Sequence, residues 1–121
     1  MKNPVPLWSW AQERLVDKVT IITGAGRGMG KEVAFQLLSV GGRVAIVDRD
    51  QARLDQTLDD FRDWSHKVIA IRGDVTVQKD IDGMVQTVLS KFGRVDNLVN
   101  CAGGYKAKSP SLQVDDAEWD M

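Results

Sequence analysis

The chain has 121 residues and a net charge of −1 from 16 Lys and Arg against 17 Asp and Glu, so it is long enough for one ordinary domain and too short for two. That charge gives no electrostatic reason to expect nucleic acid as a partner, and no apolar run approaches the roughly 18 residues of a membrane-spanning helix. The single cysteine excludes an intramolecular disulfide, and a reduced, cytoplasmic setting is the default expectation.

The first 17 residues differ from the rest, because they hold two of the three prolines and two of the four tryptophans. We predict an N-terminal extension over residues 1–17 and a domain over residues 18–121. The extension is either a partly ordered tail or an arm whose Trp8 and Trp10 pack on the domain or on a partner. Its short apolar patch is interrupted by Pro6, so we expect no secretory signal.

Strands and helices then alternate along the chain. Apolar, β-branched segments predict strands over residues 19–23, 43–48, 67–72 and 96–100. Helical spacing of apolar residues predicts a helix over about 29–40, a second that is capped by Asp50 and reaches Phe61, and a third that begins at Thr76 or Val77 and ends before Gly93. Strands that alternate with helices of this length pair in parallel through right-handed crossovers. The sequence therefore predicts an α/β fold, a partial Rossmann-type doubly wound parallel sheet with strand order 3-2-1-4.

A glycine-rich segment, Thr23-Gly24-Ala25-Gly26-Arg27-Gly28-Met29-Gly30, joins the first strand to the first helix. Glycines let the main chain approach a phosphate without a Cβ clash, and a helix N-terminus presents free N–H groups. The pattern G-x-G-x-x-G fails at Met29 or at Lys31, and the acid that precedes a methyltransferase-like loop is replaced by Ile22. The pattern T-G-x-x-x-G-x-G fits without exception.

At these residues the sequence resembles the short-chain dehydrogenase/reductase family in its classical form. Further motifs match in the family's order and spacing, namely Asp48, Asp74-Val75, Asn100-Cys101-Ala102-Gly103 (the family's N-N-A-G) and Glu118-Trp119-Asp120. The resemblance covers residues 18–121. It implies an oxidoreductase lineage that transfers hydride between a nicotinamide cofactor and an alcohol or carbonyl substrate.

The resemblance also implies a dinucleotide-binding role for a specific set of residues. Asp74 is expected to accept a hydrogen bond from the adenine amino group, although it could instead cap the following helix. Asn100 and its successors are expected near the nicotinamide end, or they form a tight strand exit. The full expected set is Gly24, Arg27, Gly28, Met29, Gly30, Asp48, Arg49, Asp74, Val75, Asn100, Ala102 and Gly103.

The identity of Asp48 favours NAD over NADP. A carboxylate at the end of the second strand can accept both hydroxyls of the adenosine ribose, unless it merely caps the strand. It would repel a 2′-phosphate about 4 Å away by roughly 4 kcal/mol at an effective dielectric near 20. Arg27 and Arg49 act in the opposite direction, since either could reach such a phosphate. We expect NAD, with NADP less favoured, because a flexible arginine can swing away.

The catalytic groups of the family are not found in this sequence. The family uses a Tyr as acid/base, a Lys four residues later and a Ser, whereas the only tyrosine, Tyr105, is followed four residues on by Ser109. We therefore expect no catalytic residue here, no metal site, and a small alcohol or carbonyl substrate only if a second half is supplied. The alternative is a non-catalytic nucleotide-binding or interaction module. Cys101 is expected to be a small buried hydrophobe, and His66 a solvated loop residue.

A half-sheet in the order 3-2-1-4 has a consequence for association. It leaves the fourth strand as an edge with Leu98 and Val99 open to pairing, and it places the third helix alone on its face. We therefore expect the chain to be marginally stable or to acquire a partner, as a homo-oligomer or with a complementary fragment.

Overall fold

A computed structural model describes residues 13–103. It contains the strands β1 (Val19–Thr23), β2 (Arg43–Asp48), β3 (Val68–Arg72) and β4 (Asn97–Asn100), the helices α1 (Gly28–Ser39), α2 (Gln51–Asp60) and α3 (Gln78–Phe92), and a 3-10 turn at Arg62–Trp64. Each predicted element is present, with ends that differ by one or two residues. Most of the predicted extension, Tyr105 and the Glu118-Trp119-Asp120 motif lie outside the described residues.

The four strands form one parallel sheet in the order β3-β2-β1-β4, which confirms the predicted topology. Central strand β1 is buried along its whole length because it pairs with β2 on one side and β4 on the other. At its end Thr23 is paired with Val47 of β2 and Asn100 of β4. The carboxyl ends of neighbouring strands therefore meet at one edge of the sheet.

Helices cover both faces of the sheet, as expected for a doubly wound fold. On one face, α1 and α2 bury Ala34, Leu38 and Leu54 against Ile22 and Ile46. On the other face, α3 is the one helix that residues 13–103 provide, and the cluster there comprises Val19, Ile21, Ala45, Val47, Met84 and Val88. Each fully buried aliphatic side chain contributes about 1.5–3 kcal/mol to folding.

Several helix ends follow local sequence signals. Asp50 caps α2 by accepting a hydrogen bond from the Arg53 amide at 3.2 Å, and Gly93 ends α3 with a φ of +78°. Of the two residues predicted to open α3, Thr76 and Val77, the N-cap is Val77, whereas Thr76 bonds to Asp74. Among residues 13–103, no helix is both long and apolar enough to cross a membrane.

β4 is an edge strand of the sheet that residues 13–103 form. Leu98 lies on the α3 side and is 59% exposed, in keeping with the expected open edge. Val99 is half-buried, because it packs against the core beneath α1 and α2. The open apolar surface at this edge is therefore confined to the α3 side.

A carboxylate ties β4 to the beginning of β1. Asp96 Oδ2 accepts a hydrogen bond from the Val19 amide at 2.8 Å, and the Asp96 amide donates to the Val19 carbonyl at 2.8 Å. Arg94 donates to Asp96 Oδ1 at 2.7 Å. The hydrogen bond from Arg94, followed by that from Val19, holds the pKa of Asp96 below its usual value.

Asp96→Asn is expected to destabilise the fold in a pH-dependent way. Because the pKa of Asp96 is lower in the folded state, its carboxylate stabilises the fold above the unfolded pKa of about 3.9, and this is lost as the pH falls through the folded value. The difference in free energy of unfolding between wild type and variant should therefore be present near neutral pH and shrink below pH about 4. Urea unfolding followed by circular dichroism measures it.

Asp82→Asn is the matched control for Asp96→Asn, because Asp82 is an exposed acid on α3 that accepts from Gln78 one turn away. We expect little change from this control at any pH. A wild-type advantage over Asp96→Asn that stayed constant into strong acid would contradict the role assigned to the Asp96 carboxylate.

Candidate functional site

A cleft of about 670 Å³ opens at the carboxyl ends of the strands. The segment after each strand contributes to its lining, which consists of Gly24, Arg27, Val47, Asp48, Arg49, Asp50, Arg53, Gly73, Asp74, Val75, Thr76, Cys101, Ala102 and Gly103. Ligands of open α/β sheets bind at this edge. The volume lies within the range of about 300–1,000 Å³ found for small-molecule pockets.

The floor of the cleft is formed where β1 and β4 end side by side. Gly24 has a φ of +66°, and a Cβ built there would lie 2.7 Å from the Ala102 Cα. The Thr23 hydroxyl accepts hydrogen bonds from the amides of Cys101 at 3.2 Å and Ala102 at 3.3 Å. A glycine is needed here both for its backbone conformation and for the close approach of the two chain segments.

The glycine-rich turn folds tightly onto its neighbours. A Cβ at Gly26 would lie 2.7 Å from Asp48 Oδ2 and 2.8 Å from the Arg53 Cβ, and the Gly26 carbonyl accepts from the Thr57 hydroxyl at 3.2 Å. A Cβ at Gly30 would lie 2.5 Å from the Gly24 carbonyl oxygen. Side chains are therefore excluded at Gly26 and Gly30, which are buried within the turn and do not line the cleft.

The start of α1 leaves main-chain donors available. Arg27 is the N-cap residue and makes no side-chain capping bond, and no acidic residue lies in the first turn. Gly28 has a φ of +58° with open space where a Cβ would be, and Met29 is 78% exposed. An uncapped helix start of this kind is suited to bind an anionic group.

Asp48 is fixed at the end of β2 by two main-chain amides. Its Oδ2 accepts from the Gly26 amide and its Oδ1 from the Asp50 amide, both at 3.0 Å. Rotation of this half-buried carboxylate would break both hydrogen bonds. By contrast, Arg27 and Arg49 are exposed where they line the cleft.

Asp74 is fixed in a similar way after β3. Its Oδ1 accepts from the Thr76 hydroxyl at 2.6 Å and from the Thr76 amide at 2.9 Å. These hydrogen bonds, with a smaller contribution from the charge of Arg49, hold the pKa of Asp74 below its usual value. Asp74 is therefore an acceptor-only carboxylate at neutral pH.

Most of the residues predicted for the dinucleotide site line this cleft, namely Gly24, Arg27, Asp48, Arg49, Asp74, Val75, Ala102 and Gly103. Gly28 and Met29 lie at the start of α1 and do not line it, whereas Gly30 is buried beneath the glycine-rich turn. Asn100 is the last residue of β4, and it is exposed and also outside the lining.

Cys101 and His66, which were expected to have no chemical role, differ in their exposure to solvent. Cys101 is half-buried and packs against the core beneath α1 and α2, as a small hydrophobe would, but it also lines the cleft. His66 is exposed, as expected. In the described part of the chain, no cluster of three or more potential metal ligands is present.

Sequence reasoning assigned no individual role to Thr23, Gly26 or Thr76. Thr23 and Gly26 belong to the glycine-rich segment. A hydroxyl at the end of a buried strand, as at Thr23, indicates a hydrogen bond to a neighbouring segment. The spacing Asp74-x-Thr76 was a signal for a side chain that bonds to the amide two residues later. The contact of Gly26 with Asp48 and Arg53 had no sequence signal, because it depends on the packing of α2.

The chain is similar to known dehydrogenases and reductases. A family model described as short chain dehydrogenase matches residues 18–121. The 7alpha-hydroxysteroid dehydrogenase of Escherichia coli is 36% identical over 91 residues, which are 75% of this chain and 36% of that protein. The chain thus spans well under half the length of this curated relative.

Solved structures of longer proteins share the fold. The 3-ketoacyl-(acyl-carrier-protein) reductase of Brucella melitensis, complexed with NADH, is 37% identical with a TM-score of 0.72, and the match covers 87% of this chain and 42% of that one. The L-sorbose reductase of Gluconobacter frateurii, complexed with NADPH and L-sorbose, is 28% identical with a TM-score of 0.75 over 88% of this chain and 40% of that one.

Alanine substitution at two glycines is expected to separate the energetic cost of a side chain at positive φ from the cost of a steric clash. Both Gly24→Ala and Gly28→Ala place a side chain at positive φ, which costs roughly 1–2 kcal/mol. Only at Gly24 does the new Cβ also collide with the main chain of Cys101 and Ala102. Gly24→Ala should therefore lower the free energy of unfolding further, as measured by urea denaturation. Equal losses for the two variants would contradict the close contact between β1 and β4.

Proposed function

The chain belongs to the short-chain dehydrogenase family, and on that premise we propose that residues 18–121 form a domain that binds a nicotinamide dinucleotide in the cleft. The domain is the cofactor-binding part of an oxidoreductase that acts on an alcohol/carbonyl pair. The observation that carries the proposal is the main-chain floor at Gly24, which lines the cleft and where an added Cβ would lie 2.7 Å from the main chain of Ala102. A side chain is excluded there, and Arg27, the N-cap residue of α1 that makes no side-chain capping bond, lines the same cleft.

Each part of the cleft suits one part of the dinucleotide. Main-chain amides at the start of α1, from Gly28 and Met29, would hold the diphosphate. Asp48 would accept from the hydroxyls of the adenosine ribose, and Asp74 would accept from the adenine amino group, with Val75 beside it. When bound, the nicotinamide supplies a site that accepts or donates hydride.

The nicotinamide end would lie over the segment that follows β4. Ala102 and Gly103 are exposed and small, and they line the cleft, so a planar ring can lie against their main chain. The Thr23 hydroxyl fixes that main chain through the amides of Cys101 and Ala102. We assign Asn100, at the end of β4, to the same region.

The geometry around Asp48 favours NAD over NADP. Its carboxylate is held by the amides of Gly26 and Asp50, so it cannot turn away from a 2′-phosphate without losing both hydrogen bonds. Arg27 and Arg49 are exposed and free of such a constraint, and they can approach or leave the phosphate. A fixed negative charge at the ribose therefore outweighs mobile positive charges near it.

We expect the 121-residue chain to bind NAD more tightly than NADP, as measured by calorimetric titration with each. Asp48→Ala should weaken NAD binding and shift the ratio of the two dissociation constants toward NADP by about tenfold or more, because a charged hydrogen-bond acceptor and a repulsive charge are removed together. Tighter binding of NADP by the unmodified chain would contradict the assignment of NAD.

Asp63→Ala is the matched control for Asp48→Ala. It removes the same charge from the 3-10 turn before β3, at the end of the sheet away from the cleft. This variant should leave the ratio of dissociation constants unchanged. Binding of neither dinucleotide by the unmodified chain would overturn the proposed function as a whole.

The 121-residue chain alone is expected to bind the cofactor without turning over substrate. Its only tyrosine, Tyr105, has no lysine four residues later, so the acid/base pair of the family is missing from the sequence. Incubation with NAD and a panel of secondary alcohols should produce no rise in NADH absorbance. Turnover by the pure chain would show that other residues supply the chemistry.

A further inference from the structure

Asp74 lies between β3 and α3 and is hydrogen-bonded both to Thr76 in the same segment and to Asp80 in the first turn of α3. The Asp74 amide donates a hydrogen bond to Asp80 Oδ2 at 3.0 Å. The Asp74 side chain accepts from the Thr76 hydroxyl at 2.6 Å and from the Thr76 amide at 2.9 Å. The main chain of Asp74 is therefore fixed by one neighbour and its carboxylate by the other.

Both hydrogen bonds from Thr76 reach the same oxygen. Asp74 Oδ1 receives the hydroxyl and the amide, which together occupy the acceptor capacity of one carboxylate oxygen. The Oδ2 atom keeps its own acceptor capacity on a side chain that lines the cleft. Because rotation of the carboxylate would break two hydrogen bonds, the plane of the carboxylate is fixed as well.

Asp80 connects this arrangement to the protein core. It lies in the first turn of α3, the helix that buries Met84 and Val88 against the sheet. A Cβ built on Gly73 would lie 3.7 Å from the Asp80 Cβ and 3.6 Å from the Met84 Cε, so the residue before Asp74 is separated from α3 by about the width of a methyl group. The position of the Asp74 amide is thus set by a well-packed helix.

We propose that Thr76 and Asp80 are positioning residues that aim Asp74 Oδ2 at the exocyclic amino group of adenine and make the cleft selective for that base. This inference rests on the proposed function and extends it to two residues to which that function assigns no dinucleotide contact. A carboxylate that only accepts hydrogen bonds stabilises the binding of a purine with an amino group at position 6. It weakens the binding of a purine with an oxygen there, because two acceptors face each other. A purine with an oxo group at that position should therefore bind less well.

The test compares NAD with nicotinamide hypoxanthine dinucleotide, which carries an oxo group in place of the adenine amino group. Dissociation constants of both are measured by calorimetric titration of the 121-residue chain. The unmodified chain should prefer NAD by about tenfold or more, the effect of one hydrogen bond to a charged group, and Asp74→Ala should remove the preference.

The positioning residues are tested by variants that remove one hydrogen bond each. Thr76→Val removes the hydroxyl from an exposed residue, and Asp80→Ala removes the acceptor for the Asp74 amide. Each should reduce the preference for NAD by about threefold, because a hydrogen bond weakens when its acceptor loses alignment. Thr76→Ser and Asp80→Asn keep a hydroxyl and an acceptor oxygen, and they should restore the preference.

Two control variants make matching changes on the same helix. Asp82→Ala removes an acid of α3, and Thr87→Val removes a hydroxyl that donates to the Gly83 carbonyl on an exposed surface. Both should leave the preference for NAD unchanged. Thermal melting of every variant, followed by circular dichroism, records any loss of stability separately from base selectivity.

The outcomes distinguish this inference from the proposed function. Binding of neither dinucleotide by the unmodified chain would overturn both. If the unmodified chain prefers NAD and Asp74→Ala abolishes that preference, while Thr76→Val and Asp80→Ala keep it, then the positioning inference alone is wrong. Equal weakening of both dinucleotides by these two variants would also overturn it, since that pattern reflects a purely structural role.

Discussion

The close approach of β1 and β4 at their carboxyl ends is the constraint on which the cleft depends. The two strands are hydrogen-bonded neighbours, and the segments that leave them pass so near each other that Gly24 has no room for a Cβ beside Ala102. The Thr23 hydroxyl also joins the two segments, because it accepts hydrogen bonds from the amides of Cys101 and Ala102. These contacts make the floor of the cleft a rigid main-chain surface, against which the rest of the site is arranged.

Around that floor, the acidic and the basic side chains are held differently. Asp48 and Asp74 each follow a buried strand, and each is fixed by hydrogen bonds from amides or a hydroxyl in the adjoining loop. Arg27 and Arg49 are exposed at the same cleft. Fixed acceptors give selectivity because they cannot adapt to a poor partner, whereas mobile cations contribute attraction with little geometric preference. Under the proposed function, the site would therefore combine two selective points with a general attraction for anions.

Local sequence patterns were sufficient for the elements and for much of the site. Continuous apolar runs such as residues 19–23 predicted buried parallel strands, and the spacing of Met84 and Val88 predicted the core face of α3. Contacts between elements could not be predicted in this way. Gly26 is needed because α2 brings Arg53 against it, and Val77 rather than Thr76 is the N-cap of α3, while Thr76 bonds to Asp74. Both outcomes depend on tertiary packing or on competition between hydrogen bonds, which a linear pattern does not record.

Because two amides hold Asp48, a substitution made there to change the proposed preference between NAD and NADP would also change the stability of the fold. Gly26 is buried, and its N–H group donates to the Asp48 carboxylate. An engineer who replaced this acid with a small neutral residue, in order to admit a phosphorylated ribose, would leave that buried donor without its acceptor, at a cost of about 1–3 kcal/mol. Under the proposed function, retargeting the pocket would thus call for a compensating change elsewhere.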